Sequence, residues 1–147
     1  MIRKAIPMNE PSLIYTLLTQ SATIAVIGLS PDPGKPSHYV PAYMQQHGYR
    51  ILPINPTVET VLGESCSPTL TALPAKPDLV NVFRLPKYIP AIVEEMIQLG
   101  LSNLWVQSGI VNLEAAAKAE AAGIHVVMDR CIMVEHSALL GGSSRVS

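Results

Sequence analysis

Residues 28–37 (GLSPDPGKPS) bring together groups that bind phosphate. They offer glycine backbone, a hydroxyl at Ser30 and a cation at Lys35, and a predicted helix begins at Ser37. The free N–H groups of a helix start favour an anion. Only two glycines are present, so the dinucleotide fingerprint G-x-G-x-x-G is absent. The alternative interpretation is a surface turn rich in proline and glycine.

The ends of two later apolar runs bear on which nucleotide would fit. An NAD site usually places Asp or Glu about 20 residues beyond the glycines, to hold the ribose 2′-hydroxyl. Here the second run ends in Asn55 and Pro56, neither of which is acidic. The lack of a carboxylate argues against NAD, and it permits a phosphorylated ribose, which a carboxylate would repel. An Asn-Pro turn is the alternative. Arg84 follows Phe83, where a guanidinium either pairs with phosphate or stands on a solvated loop.

Candidate catalytic residues are few. None of the four histidines stands in a metalloprotease array, and no nucleophile elbow or Walker loop occurs. The neighbours Glu135 and His136 are interpreted as a solvated face or a packing contact. Cys131 is predicted to follow the fifth strand, as an inert buried thiol or as the partner of a ligand thiol in a mixed disulfide. The sequence therefore predicts no catalytic residue and no metal site.

Composition excludes several classes of protein. The 147 residues are 48% hydrophobic and 14% charged, against a usual charged share of about 25%, which excludes a disordered chain. A net charge of -1 with no large basic cluster argues against nucleic acid as a partner. No uncharged apolar run reaches about 18 residues, so no membrane partner is expected. With no visible secretory signal, a cytoplasmic location is expected.

Short apolar runs rich in Ile and Val predict five strands, and strands buried on both faces have this pattern. The predicted strands are 23–28, 50–55, 79–83, 103–107 and 124–129. Helices are predicted at 11–20, 37–47, about 89–99 and 112–122, with a terminal helical segment at 131–140. Pro41 is a cost to the second helix unless it lies close to the first turn.

Helical runs end three times in a glycine that leads within two or three residues into a strand, at Gly48, Gly100 and Gly123. Alternating strands and helices predict an α/β fold, a Rossmann-like doubly wound parallel sheet with helices on both faces. We expect five strands in the order 3-2-1-4-5 and a single domain over residues 1–140. Residues 56–78 predict an irregular or short-helix crossover, with a helical turn within 67–73. Residues 141–147 are expected to be a disordered tail.

A ligand of such a sheet binds at the carboxyl ends of the strands. Trp105, inside the fourth strand, is predicted to be core. Gln107 closes that strand on the same face and is predicted to make a polar contact.

Residues 25–56 (AVIGLSPDPGKPSHYVPAYMQQHGYRILPINP) resemble the coenzyme A-binding domain proteins, small stand-alone relatives of the N-terminal domain of the succinyl-CoA synthetase alpha subunit. The resemblance continues through LGESCSPTL, PDLVNVFRLP and LWVQSGIVNLEAAAKAEAAGIHVVMDRCIMVEH, from about residue 11 to residue 140. The motifs G-L-S-P-x-P, G-Y-x-x-x-P-x-N-P, V-F-R and M-D-R-C-I-M-x-E-H together carry it.

The resemblance implies a Rossmann-type sheet and coenzyme A as the ligand, and it implies roles for particular residues. The diphosphate and pantetheine would lie along Gly28, Leu29, Ser30 and Lys35. The adenosine end would be lined by Asn55 and Pro56, and the nucleotide would be bordered by Val82, Phe83 and Arg84. The pantetheine arm would be bordered by Val106 and Gln107. Ser37, at the predicted helix start, completes the set of expected binding residues.

We therefore expect a non-catalytic module that binds coenzyme A or an acyl-CoA, as a carrier, sensor or regulatory protein. In succinyl-CoA synthetase the phosphorylated histidine belongs to a second domain that this sequence lacks, so ligase activity is not expected. The alternative is a small enzyme using acyl-CoA or a nicotinamide dinucleotide. Asn55 stands where an NAD site would have an acidic residue, which argues against a nicotinamide cofactor. The sequence shows no general base or nucleophile with an orienting partner, which argues against acyl transfer. A homo-oligomer is left open by the sequence.

Overall fold

The computed structural model describes residues 6–141. Its main sheet has five parallel strands: β1 (Thr23–Ile27), β2 (Arg50–Ile54), β5 (Leu79–Val82), β6 (Asn103–Val106) and β7 (His125–Met128). Two short strands, β3 (Thr60–Val61) and β4 (Glu64–Ser65), form an antiparallel hairpin. The helices are α1 (Pro11–Gln20), α2 (Pro36–Gln46), α3 (Ile89–Leu99), α4 (Leu113–Ala121) and α5 (Ile132–Leu140), and a single 3-10 turn, Pro86–Tyr88, precedes α3.

Helices cover both faces of the sheet, which confirms the predicted Rossmann-like α/β class. Successive strand residues point to opposite faces. Ile24 and Val26 pack with α1, α2 and α5, whereas Ala25 packs with α3 and α4. Trp105 is fully buried on the first of these faces, and its indole Nε1 donates to the carbonyl of Arg130 at 2.9 Å. The nearly continuous apolar character of the strands follows from this burial on two sides.

The strand order along the sheet is β2-β1-β5-β6-β7. The third predicted strand, β5, thus lies between the first and the fourth, and not at the edge where the order 3-2-1-4-5 required it. Pro53 explains the difference, because a proline inside a strand is confined to the edge of a sheet. The outer side of β2 is occupied by Ser67, which donates to the carbonyl of Pro53 at 3.0 Å and accepts from Asn55 N at 3.0 Å.

The crossover from β2 to β5 is irregular, as expected, but it contains the β3–β4 hairpin that was not predicted. Two-residue strands carry too little alternation to be recognised in a sequence. The expected helical turn shrinks to one hydrogen bond, from Leu73 N to the carbonyl of Leu70 at 3.1 Å.

The opposite edge of the sheet is closed by Asn9. Its side chain accepts from Met128 N at 2.8 Å and donates to the carbonyl of Met128 at 2.9 Å, as a neighbouring strand would. An unpaired strand edge invites pairing with another chain, and this contact occupies it. No helix within residues 6–141 has the length and apolarity needed to cross a membrane. Gly141 ends α5 in the left-handed conformation, and the predicted disorder of 142–147 lies outside the described residues.

His136 of α5 is completely buried against α2. Its Nδ1 lies 2.9 Å from the hydroxyl of Tyr43, and its Nε2 has no hydrogen-bond partner among the described residues. The rings of His47 and Tyr49 lie 5.1 and 5.7 Å away. Of the two interpretations given for the neighbours Glu135 and His136, a packing contact therefore holds for His136. Burial, together with the nearby His47, lowers the pKa of His136.

We predict that the free energy of unfolding decreases as the pH falls below about 6.5, the ordinary pKa of histidine. The unfolded state binds the proton at a higher pH than the folded state, so the stability is full above that value and is lost on acidification. Urea unfolding between pH 5 and 8 measures this. His136→Gln should flatten the dependence across this window. An equally steep dependence in the variant would assign the effect to other groups.

Candidate functional site

A continuous cleft runs along the carboxyl ends of the strands and has two lobes. The first lobe, about 470 Å³, lies between the loops after β1 and β2 and includes Gly28, Ser30, Asn55, Pro56 and Thr57. The second lobe, about 590 Å³, lies between α2 and α5 and includes Tyr39, Val40, Gln107, Ile110, Cys131 and Met133. Lys35, Ser37, Phe83 and Arg84 line both lobes, so the two form one elongated site.

The turn after β1 requires a glycine. Gly28 has a φ of 86°, and a Cβ added to it would lie 2.6 Å from the carbonyl oxygen of Phe83. Its N–H donates to the carbonyl of Ile54 at 3.1 Å, which ties the turn to β2. The absence of a side chain thus allows the loops after β1 and β5 to approach each other closely.

The rest of this loop is held by the start of α2. Pro41 has no N–H and cannot donate to the carbonyl of Ser37 four residues earlier, as an ordinary helical residue would. Ser30 N instead donates to that carbonyl at 3.1 Å. The carbonyl of Ser30 lies 2.7 Å from Nδ1 of His38. The proline that weakens the helix therefore leaves a helix carbonyl free to hold the loop after β1.

Asn55 joins the loops after β1 and β2. Its Nδ2 donates to the carbonyl of Leu29 at 2.9 Å, and its Oδ1 accepts from the N–H and the hydroxyl of Thr57 at 2.9 and 2.8 Å. An amide can serve both as donor and as acceptor, which a carboxylate cannot do. The side chain thus shapes the first lobe, and it adds no negative charge there.

The cleft is electrostatically suited to an anion. Lys35 and Arg84 line it, and neither makes an ion pair with any residue in 6–141. The guanidinium carbon of Arg84 lies 4.2 Å from the centroid of the Tyr88 ring, a cation–π contact that positions the charge. Because α2 begins with Pro36 and has no side-chain cap, its N-terminus leaves the N–H of Ser37 open at the cleft. No carboxylate and no imidazole lines either lobe.

The second lobe is mostly apolar. The side chains of Tyr39 and Val134 are exposed at its mouth, whereas Val40 is buried in its wall. Besides Lys35, Ser37 and Arg84, which it shares with the first lobe, and the Tyr39 hydroxyl, its polar groups are the amide of Gln107, the hydroxyl of Ser108 and the free, half-buried thiol of Cys131. In the described part of the chain, no cluster of three or more His, Cys, Asp or Glu residues could hold a metal ion.

The structure brings most of the predicted binding residues together. Those that line the cleft are Gly28, Ser30, Lys35, Ser37, Asn55, Pro56, Phe83, Arg84 and Gln107. Leu29, Val82 and Val106 are instead fully buried, so their side chains belong to the core. They support the loops from below without exposing a side chain to the cleft.

Sequence reasoning missed residues that the helices contribute to the second lobe, chiefly Tyr39 and Met133. Each follows the predicted start of a helix by two residues or fewer, beside the carboxyl ends of the strands. Both could have been found from the sequence, because each is a large apolar residue near the start of a helix that begins beside the carboxyl ends of the strands.

The fold and the cleft together define a Rossmann-like α/β domain with an elongated cleft, which carries two cations where its lobes meet and is mostly apolar in its second lobe. The family model described as "CoA binding domain" matches residues 22–137. The chain therefore belongs to the CoA-binding domain family.

Individual relatives agree with this assignment. Uncharacterized protein YneT of Bacillus subtilis (strain 168) is 39% identical over 132 residues, which are 88% of this chain and 98% of that protein. The structure of a hypothetical protein from Pyrococcus horikoshii OT3 is 37% identical with a TM-score of 0.87, covering 96% of this chain and 99% of the other. Acetate–CoA ligase [ADP-forming] II of Archaeoglobus fulgidus is 28% identical over 100 residues, which are 67% of this chain but 15% of the ligase.

We predict that Gly28→Ala destabilises the protein more than Gly123→Ala. Both glycines have positive φ, 86° and 87°, but a Cβ at Gly123 would meet no atom within 4 Å. Backbone strain alone should cost about 1 kcal/mol at Gly123, and at Gly28 the contact with the Phe83 carbonyl adds to it. Urea unfolding of the two variants measures the difference. Equal losses would show that the close approach at Gly28 relaxes freely.

Proposed function

We propose that the protein binds coenzyme A, free or acylated, in the cleft at the carboxyl ends of its strands, and that it acts as a carrier, sensor or regulatory module. The observation that carries the proposal is the division of one continuous cleft: Lys35 and Arg84 lie where its two lobes meet, and the second lobe is otherwise mostly apolar. Coenzyme A has the matching division, with its phosphates on the nucleotide and a long, weakly polar pantetheine arm.

In this arrangement the nucleotide occupies the first lobe. The phosphates lie near Lys35, Arg84 and the open N–H of Ser37, where opposite charge and the helix dipole favour them. Asn55 and Pro56 flank the adenosine end, and no carboxylate there repels a phosphorylated ribose. The pantetheine arm follows the second lobe toward Cys131. Membership of the CoA-binding domain family supports coenzyme A as the ligand.

The residues of the cleft favour binding without catalysis. Acyl transfer needs a base or an activated nucleophile with an orienting partner. The lining offers no histidine or carboxylate, and its single thiol, Cys131, has no such partner within residues 6–141. Both cysteines of the sequence are free thiols, which is typical of the reducing cytoplasm that we propose as the location.

We predict saturable binding of coenzyme A by isothermal titration calorimetry, with weaker binding of dephospho-coenzyme A. Lys35→Ala and Arg84→Ala should each weaken coenzyme A binding by about 1–3 kcal/mol, the range for a lost charge-assisted hydrogen bond. The variant that contacts the 3′-phosphate should also bind the two ligands with similar affinity.

Lys76→Ala provides the matched control, because Lys76 precedes β5 and lies at the opposite end of the sheet. It should leave the affinity unchanged. The absence of saturable heat with either ligand would reject the proposal, and an unchanged affinity for one cleft variant would remove that residue from the site.

We also predict that oxidised coenzyme A forms a mixed disulfide with Cys131. The Cys131 thiolate attacks one sulfur of the ligand disulfide, a protein–ligand S–S bond forms, and one coenzyme A thiolate leaves, so no further oxidant is needed. Burial raises the pKa of the Cys66 thiol, which disfavours its reaction. Intact mass should show one adduct that is reversed by reductant, lost in Cys131→Ser and kept in Cys66→Ser. An unshifted wild-type mass would refute it.

A further inference from the structure

Gln107 lies in the wall of the second lobe, and both its backbone N–H and its carbonyl make hydrogen bonds within the protein. Its side chain lines the cleft although the residue is only 4% exposed. Its N–H donates to the carbonyl of Val82 at 3.2 Å, and its own carbonyl accepts from Ile110 N at 3.2 Å. Because the backbone N–H is already used, the side-chain amide is the donor that Gln107 can offer to a ligand.

The orientation of that amide is fixed by a backbone donor. The N–H of Ile132, at the start of α5, lies 3.0 Å from one amide atom of Gln107. A backbone N–H can only donate, so this atom must be the oxygen Oε1. Asn81 Nδ2 donates to the same oxygen at 3.2 Å and to the carbonyl of Trp105 at 3.1 Å, which fixes the Asn81 amide as well.

The nitrogen of the Gln107 amide is thus left as a donor. Nε2 has no hydrogen-bond partner among residues 6–141, and it is not among the described polar atoms that are both fully buried and unpartnered. The amide cannot present its oxygen to the lobe without breaking the bond to Ile132. The wall of this largely apolar lobe therefore includes an N–H donor whose direction is fixed by the bond from Ile132.

We infer that Gln107 is a specificity-determining residue whose Nε2 donates to an amide carbonyl of the ligand arm in the second lobe. The inference rests on the proposed function, and it specifies which part of the ligand is selected. A hydrocarbon chain would leave this donor unpaired, whereas an arm with amide carbonyls, such as pantetheine, satisfies it. A site built around a buried hydrogen-bonding group strongly rejects ligands that lack the partner.

Gln107→Glu tests this with little structural change. The carboxylate keeps an oxygen for Ile132 and Asn81 but presents a second oxygen to the lobe in place of the donor. The Kd of coenzyme A should rise about tenfold or more, because a hydrogen bond is lost and two acceptors oppose each other. The Kd of 3′-phosphoadenosine 5′-phosphate, which lacks the arm, should change less than about twofold. Gln98→Glu, the same change on the exposed side of α3, is the matched control for added charge.

The outcomes separate the inference from the proposed function. Unchanged coenzyme A affinity in Gln107→Glu, or equal weakening of both ligands, overturns the inference while the proposed function stands. No binding of coenzyme A by the wild-type protein overturns the proposed function itself.

A measurement on the wild-type chain covers the case in which Gln107→Glu does not fold. The assigned side-chain NH₂ resonances of Gln107 should shift on saturation with coenzyme A and stay in place with 3′-phosphoadenosine 5′-phosphate. Resonances that do not move with coenzyme A overturn the inference.

Discussion

Burial of the sheet on both faces is the constraint on which the rest of the structure depends. With helices on each side, the strands expose almost no side chains, and their backbone groups are satisfied within the sheet. Polar chemistry is therefore confined to the ends of the strands. The carboxyl ends lie at one edge in a parallel sheet, so the loops after β1, β2, β5, β6 and β7 meet there and enclose the cleft.

The loops at this edge are held by the protein itself. Ser30 hydrogen-bonds to the helix carbonyl that Pro41 leaves free, and Asn55 links two loops through both ends of its amide. At Gly28 the missing side chain brings the loops after β1 and β5 into contact. A preorganised site of this kind loses less conformational entropy on binding than a flexible one.

Polar and apolar side chains are distributed unevenly along the cleft, and the second lobe is the more apolar of the two. A protein with few charged residues places Lys35 and Arg84 where the two lobes meet, and no carboxylate lines either lobe. The chain belongs to the CoA-binding domain family, and it is similar to a part of acetate–CoA ligase. The physical features favour a long ligand with an anionic head and a weakly polar arm.

The sequence by itself determined the five strands of the main sheet, the helices and the class of fold, because continuous apolar strands, helix-ending glycines and the Asn112 cap of α4 are local signals. It also identified the loops of the cleft. Only the tertiary structure decided that Leu29, Val82 and Val106 are core while Gln107 faces the ligand site. Strands buried on both faces have no alternation that separates these cases. The edge position of β2 and the direction of the Gln107 amide likewise depend on contacts between residues distant in the chain, with Ser67 and Ile132, which no local pattern encodes.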